Sequence, residues 1–363
     1  MAATTIETPF DELCRRNLFT KVPPQPKIAK PGQLSEDMVK QFFEEGFVIV
    51  ENYFLPEELD ACRKAVDKLV DDLALKLYQA GKVKNLYKEL GFNQRLIKLE
   101  EEFPGANIIF LKQGILPKAM QDLWSNERLL NAIEQLIGPE IAGHPVWNLR
   151  PKTPHNAATT VPWHQDVAYL DEDSYNVLTP TAWIPLVDTN EENGCMQVVR
   201  KGHISGKVVK HECCAGPTWY VMLDEKEMEE TLGVNLKEDV VLCPVPYGGM
   251  LLINNLIPHQ SLPNISNGIR WSLDLRWQNP EKPWGFYGLK EGILMRSLKN
   301  PVTHIGWDYF NALNRSDLEN NASSNKVEDK FDTTISGPWM LRWEITHKNH
   351  HTASLKGSQT SLH

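Results

Sequence analysis

Hydrophobic and polar positions follow two different rhythms along this chain, and the change falls near Ile141. Before it, apolar residues recur at intervals of three and four. In "LSEDMVKQFFEEGFVIVENYFLPEELDACRKAVDKLVDDL", Ser35 is placed to cap a helix, although Met38 stands where a Glu would complete a capping box. That helix should stop at Gly46, where "FVIV" begins a short strand. Pro56 opens a second helix, with Glu57 and Glu58 in the first turn where the helix dipole favours negative charge. Its stripe of Leu59, Cys62, Ala65, Val66, Leu69, Val70 and Leu73 keeps the helical period and predicts a core-facing side. A further helix is predicted from Lys118 to Leu136.

After Ile141 the pattern breaks into short runs bounded by Gly, Pro, Asn and Asp. "TAWIPLV" (Thr181 to Val187), "GCMQVV" (Gly194 to Val199), "GGMLLIN" (Gly248 to Asn254) and "RWSLDLRW" (Arg270 to Trp277) read as strands. Many short strands without intervening helices favour a sandwich or jelly roll over a doubly wound sheet. The expected architecture is mainly β with flanking helices, a single domain over residues 34–312. An irregular arm (1–33) precedes it. A polar loop and an ordered segment containing "ISGPWMLRWEITH" (313–346) and a disordered tail (347–363) follow it.

Composition narrows the partners. With 363 residues and 41% hydrophobic content the chain can bury a large core. Its net charge of −9 and lack of clustered Lys and Arg argue against nucleic acid. No apolar stretch approaches the roughly 20 residues of a membrane span, and "MAATTIETPFDELCRR" lacks a secretory signal's apolar centre. A cytoplasmic location is expected, and the terminal "SLH" departs from the S-K-L peroxisomal address. The six cysteines form no C-x-x-C pair, and adjacent Cys213 and Cys214 suit a reduced compartment better than a disulfide framework. The N-x-S/T triplets at Asn264, Asn314 and Asn321 are therefore read as chance.

The candidate chemistry lies in "TTVPWHQDVAYL" (Thr159 to Leu170). In extended chain, His164 and Asp166 project to one face while Gln165 points away. One imidazole and one carboxylate make two corners of a metal shell, and His259, after the strand ending near Asn254, offers the third. Two histidines and a carboxylate on a β scaffold match the facial triad of non-haem Fe(II) oxygenases. Eleven residues past His259 comes Arg270, which alternation places on one face with Ser272 and Asp274. A guanidinium with a hydroxyl two residues on is suited to clamp the carboxylate of a dicarboxylic co-substrate.

H-x-D, a distal histidine and an arginine eleven residues later resemble the phytanoyl-CoA dioxygenase family of Fe(II)- and 2-oxoglutarate-dependent oxygenases. "LSEDMVKQFFEEGFVIVENYFLPEELDACRKAV" is similar to the family's first helix, strand and second helix. "AWIPLVDTNEENGCMQVVRKGHISG" resembles the family's turn, strand and "GSH"-like end, with Lys201, Gly202 and His203 where Pro-Gly-Ser/Thr-His is usual. The resemblance spans about Leu34 to Trp277 and implies a cupin-like double-stranded β-helix. It further implies iron on His164, Asp166 and His259, and 2-oxoglutarate held by Arg270 and Ser272. Trp183 either lines the co-substrate pocket or packs as a core aromatic, and Asn148 is placed to reach 2-oxoglutarate, with Arg150 and Lys152 unranked beside it. Gln165 either touches substrate or faces outward.

The implied reaction consumes 2-oxoglutarate and O2, gives succinate and CO2, is supported by ascorbate, and hydroxylates an unactivated C–H bond of a small molecule. Asp166 disfavours halogenation, since halogenating relatives replace that carboxylate with Gly or Ala. Desaturation, cyclisation and endoperoxide formation stay open. Rivals are a zinc-dependent cupin-like hydrolase or isomerase, which leaves Arg270 idle, and a non-catalytic binding homologue. Trp219, Tyr220 and Met222, and the stretch Pro280 to Gly292, are candidate substrate lids against a background of ordinary packing. "RKGH" (Arg200 to His203) and "KVVKH" (Lys207 to His211) are read as solvated loops before a CoA-phosphate patch.

Overall fold

The structure, a computed structural model, describes residues 9–323, 329–353 and 355. Helices α1 (Pro9–Thr20) and α2 (Glu36–Glu45) lead to strand β1 (Phe47–Val50), and α3 (Pro56–Gln79), α4 (Arg95–Glu102), α5 (Ala106–Leu111), α6 (Lys118–Trp124) and α7 (Glu127–Ile137) follow. Then come β2 (Ile141–Gly143), β3 (Asn148–Lys152), β4 (Thr181–Pro185), β5 (Met196–Val199), β6 (Glu212–Cys213) and β7 (Val221–Met222). Helices α8 (Glu225–Leu232) and α9 (Leu236–Asp239) precede β8 (Val240–Cys243), β9 (Met250–Ile253), β10 (His259–Ser261), β11 (Arg270–Gln278) and β12 (Ile293–Arg296). The chain continues through α10 (Trp307–Asn311), α11 (Arg315–Ala322), β13 (Glu344–Ile345) and α12 (His350–Ala353).

Ser35 caps α2 by accepting from the Met38 amide, and Gly46 ends it at φ 88°, a left-handed conformation that suits a residue without Cβ. The helix predicted from Lys118 to Leu136 is two. Asn126 accepts from the Arg128 and Leu129 amides and so starts α7 afresh.

The large sheet runs β1-β9-β4-β11-β2-β12, with β3 also paired to β11. A second sheet, β10-β5-β8, faces it. Phe47, Trp183, Leu251 and Ile253 of the first pack with Met196, Val198 and Cys243 of the second in one apolar cluster, the interior of a jelly roll. Alternation explains the division of faces. Trp271, Leu273, Leu275 and Trp277 of β11 join Ala182, Ile184 and Leu252 beneath a layer of helices that includes α3, α5 and α7. Arg270, Ser272, Asp274 and Arg276 take the other face, yet all nine residues of β11 are buried. A buried row of charges inside a barrel is costly unless it is paired or serves a ligand. Helices hold 35% of residues and strands 16%, so the β core is expected but the helical cover is the larger part.

Three stretches differ from expectation. The supposed irregular arm contains α1, whose Phe19 is fully buried. The supposed mobile loop after Asn314 opens with α11, because Asn314 caps it through the Asp317 amide and Arg315 is drawn inside. The expected disordered tail begins with ordered chain, since Asn349 accepts from the His351 and Thr352 amides at the start of α12. Residues 324–328, 354 and 356–363, within the same two expectations, and residues 1–8 lie outside the described residues. Cys213 and Cys214, expected to be reduced, are bonded to each other; a bond between neighbours encloses no loop and ties no distant segments. Among the described residues, no helix is long and apolar enough to cross a membrane.

Candidate metal centre and its two cavities

His164 and His259 meet backbone to backbone, each amide donating to the other's carbonyl at 3.0 Å, so the H-x-D segment is stitched to the end of β10. Gln165 is extended (φ −102°, ψ 139°), which turns His164 and Asp166 to the same side even though Asp166 already begins a 3₁₀ turn to Tyr169. The Gln165 side chain leaves the site altogether. It is fully buried, donating to the Lys207 and Leu256 carbonyls and accepting from the Val209 amide.

One ligand atom from each of His164, Asp166 and His259 lies within 4.8 Å of the others. Both Nε2 atoms are 3.7 Å from Asp166 Oδ1. Each Nδ1 faces a carbonyl, Pro162 O at 2.8 Å and Ile257 O at 3.0 Å. Nδ1 therefore carries the proton and Nε2 keeps its lone pair for a metal. Burial, followed by His164, pushes His259 down to about 4, so it is neutral and ready to ligate at neutral pH.

Arg276, which the sequence analysis did not single out, completes the centre. Its Nε and Nη2 donate to Asp166 at 3.0 to 3.1 Å, and Thr181 Oγ1 adds a bond of 2.9 Å. Burial opposes the charge on Asp166, but Arg276 and the two histidines hold its carboxyl well below the usual carboxylate range. The same alternation that exposed Arg270 and Ser272 continues to Arg276, so the signal was present in "RWSLDLRW".

Two cavities meet at Asp166. The inner one, about 600 Å³, contains the three ligands together with Arg270, Lys152, Trp183 and Ser261. Arg270 donates to Ser272 Oγ at 2.8 Å and lies 5.1 Å from the Trp183 ring, while its buried Nε has no hydrogen-bond partner. Trp183 thus both packs in the core and walls the cavity. Register ranks the three β3 candidates. Lys152 stands opposite Arg270, Arg150 opposite Ser272 and Asn148 opposite Asp274. Lys152 enters the inner cavity and Arg150 stands at the junction, whereas Asn148 bonds Asp274 at 3.2 Å and lines only the outer cavity. Asn148, expected to reach the co-substrate, thus lies on the outer side of the junction.

Lys152 is 1% exposed and donates to the Thr159 carbonyl and the Thr160 hydroxyl, and among the described residues no carboxylate forms an ion pair with it or with Arg270. Burial, then Arg270 and Arg150, hold the Lys152 amine well below its usual range, and burial brings Arg270 down to about 10. Two buried cations without an ion-paired carboxylate, beside an imidazole–carboxylate triad, fit a metal-chelating dicarboxylate. Those observations establish the fit of iron and 2-oxoglutarate to the residues present.

The outer cavity, about 1090 Å³ and open to solvent, includes His144, Trp219, Tyr220, Phe286, Arg315 and Trp339. Trp219 and Tyr220 line it as expected of a lid, and Phe286 represents the Pro280–Gly292 stretch. Met222 does not; it pairs with Glu212 in the small sheet. The basic stretches form no open patch, since Arg200 pairs with Asp239, Lys201 with Glu45, and His203 and His211 are buried.

The profile of the phytanoyl-CoA dioxygenase (PhyH) family matches residues 42–272. The chain belongs to this family. It is 27% identical over 206 residues to the 1-deoxypentalenic acid 11-beta-hydroxylase of Streptomyces arenae, covering 50% of this chain and 68% of that one. It is 21% identical over 267 residues to phytanoyl-CoA dioxygenase domain-containing protein 1 of Bos taurus, covering 65% and 87%. Among solved structures, the non-heme monooxygenase ThoJ shares the fold with a TM-score of 0.50 and 18% identity, over 78% of this chain and 97% of that one. Family membership makes the protein a non-haem dioxygenase using iron and 2-oxoglutarate. Arg276, Phe286, Arg315 and Trp339 all lie beyond the matched residues.

Proposed function

We propose that the protein hydroxylates an unactivated C–H bond of a small molecule bound in the outer cavity, with succinate and CO2 released from 2-oxoglutarate in the inner one. The observation that carries this is an inner cavity where Arg270 and Lys152, beside the triad, have no ion-paired carboxylate among the described residues, joined at Asp166 to a separate, largely apolar outer cavity. Iron bound by His164, Asp166 and His259 supplies O2 activation coupled to decarboxylation of 2-oxoglutarate.

The chain's own residues do the rest. Arg270, with Ser272 and Lys152, receives the distal carboxylate and so fixes which end of 2-oxoglutarate faces the triad. Arg276 and Thr181 hold Asp166 ionised and in one orientation. Trp219, Tyr220 and Trp339 wall the outer cavity and exclude water from its apolar part. Asp166 keeps the position that halogenation would leave open, which supports hydroxylation.

The test is succinate formation by the purified protein with Fe(II), ascorbate, 2-oxoglutarate and O2, with and without a pooled small-molecule extract. Iron-dependent succinate, stimulated by extract, is expected, with a weak visible charge-transfer band when Fe(II) and 2-oxoglutarate are added without oxygen. Absence of both would overturn the proposal in favour of zinc chemistry or simple binding.

A further inference from the structure

Four ion pairs border the outer cavity, and one is unlike the others. Arg276 meets Asp166 at 3.0 Å, Arg150 meets Asp274 at 2.6 Å and Lys112 meets Asp332 at 3.0 Å, each through a hydrogen bond. Arg315 and Glu319, one turn apart on α11, stand at 3.6 Å with no hydrogen bond between them. The Arg315 guanidinium is held over the Trp147 ring at 4.9 Å, and its Nη1 donates to the Trp147 carbonyl. Its buried Nε has no hydrogen-bond partner, and the Glu319 carboxylate accepts no hydrogen bond among the described residues. Arg315 is 6% exposed, and both residues line the cavity. Burial raises the Glu319 carboxyl above its ordinary range, against the pull of Arg315.

Buried charges are ordinarily saturated with hydrogen bonds, because desolvation is otherwise uncompensated. Here the buried Arg315 Nε stands 3.6 Å from Oε2 of a partly exposed Glu319, and both residues line the same cavity with no hydrogen bond joining them. Their charges cancel, so a lone carboxylate meeting Arg315 would also meet Glu319, and a lone amine would suffer the converse. A group that accepts at one atom and donates at another, with no net charge, satisfies both. Val146, Leu170, Trp219, Phe286, Ile335 and Trp339 give the wall a broad apolar and aromatic surface between its polar groups.

We infer that Arg315 and Glu319 anchor the substrate, and that the substrate is a mainly apolar small molecule bearing a net-neutral donor–acceptor group, either a carboxamide or lactam or an ammonium–carboxylate zwitterion. This inference rests on the outer cavity being the substrate site of the proposed oxygenase. Neither residue falls within the family-matched region, so the anchor is a feature of this chain's C-terminal segment.

The test uses four probes on one hydrocarbon: cyclohexanecarboxamide, cyclohexylglycine, cyclohexanecarboxylate and cyclohexylmethylamine. Binding to the full chain is read by tryptophan fluorescence, without metal and again with Fe(II) and 2-oxoglutarate under anaerobic conditions. The carboxamide or cyclohexylglycine is expected to bind at least about tenfold more tightly than the carboxylate and the amine, and whichever leads identifies the group. Glu319→Gln keeps the shape and removes the negative charge, so it should raise carboxylate affinity about tenfold relative to the other probes. A wild-type preference for the carboxylate or the amine, no discrimination among the four, or an unchanged ranking in a folded Glu319→Gln protein would overturn the anchor. The wild-type ranking stands by itself if the variant fails to fold. Failure of the anaerobic charge-transfer band would instead sink the oxygenase, while the metal-free ranking still decides the anchor.

Discussion

The two cavities that meet at Asp166 solve the problem of buried charge in opposite ways. The inner one keeps two cations, Arg270 and Lys152, with no carboxylate ion-paired to either among the described residues. The outer one neutralises every cation on its wall, Arg150, Arg276, Lys112 and Arg315, with a carboxylate. Uncompensated charge is tolerable only if a ligand of opposite sign completes it, whereas a balanced wall can receive molecules of many kinds. The contrast also follows the chain: the inner cavity is built mostly from family-matched residues, and much of the outer one from residues after Ser272.

The sharpest break in that contrast is His164→Ala. It removes one of the three candidate ligands at the junction of the cavities, so iron binding and turnover should both be lost while the fold persists. Metal analysis and succinate assay of the purified variant check this, and wild-type turnover would dismantle the triad. Next in size is the inner charge. Arg270→Ala should weaken 2-oxoglutarate by roughly a hundredfold or more, and Lys152→Met by about tenfold, with iron affinity nearly unchanged. Anaerobic titration of the charge-transfer band reads both. Equal effects on iron and co-substrate would mean that these cations support the fold and not the ligand.

Arg276 bridges the two cavities, and its replacement tests whether they are separable. Arg276→Met leaves Asp166 with Thr181 alone, and loss of such a supporting partner should lower iron affinity between about 10- and 100-fold. Full iron affinity in the variant would assign Arg276 to the outer wall only.

How much of this was legible differs between the cavities for a physical reason. β11 alternates strictly, so Arg270, Ser272 and the opposed tryptophans and leucines announced both faces of a strand from spacing alone. His164 and Asp166 flank a single residue, and their common direction needed only that Gln165 be extended. Lys152 could be shortlisted but not ranked, because pairing register with β11 is a non-local fact that no local pattern encodes. The same register sets Asn148 opposite Asp274, on the outer side. Arg315 and Glu319 sit in "NRSDLENNASS", a polar stretch whose composition matches a solvated loop, and only the Asn314 cap and burial beneath Trp147 make it a helix facing a cavity. Of the lid candidates, Trp219 and Tyr220 line the outer cavity while also packing in a core cluster, whereas Met222 is a sheet partner in a two-residue strand.

The smallest predicted effect concerns neutral histidines near both cavities. Burial pushes His144, in the outer wall, down to about 4, and His211, whose Nε2 accepts from the Gln165 amide, down to about 3, from an ordinary value near 6.5. In both cases the folded state disfavours protonation, so between these values and pH 6.5 the unfolded chain binds more protons than the folded one. Stability should therefore be full above about pH 6.5 and fall as the pH drops toward 4, by about 1.4 kcal/mol per pH unit for each such histidine. His144→Gln, which can still donate toward the Trp284 carbonyl, should remove one histidine's share of that slope and leave the shares of the other buried histidines, His211 and His259 among them. Urea unfolding of metal-free protein at several values between pH 4.5 and 7 measures it. An unaltered slope in the variant would mean that water reaches His144 in solution, and the outer cavity would then be wetter at its Trp284 end than its packing implies.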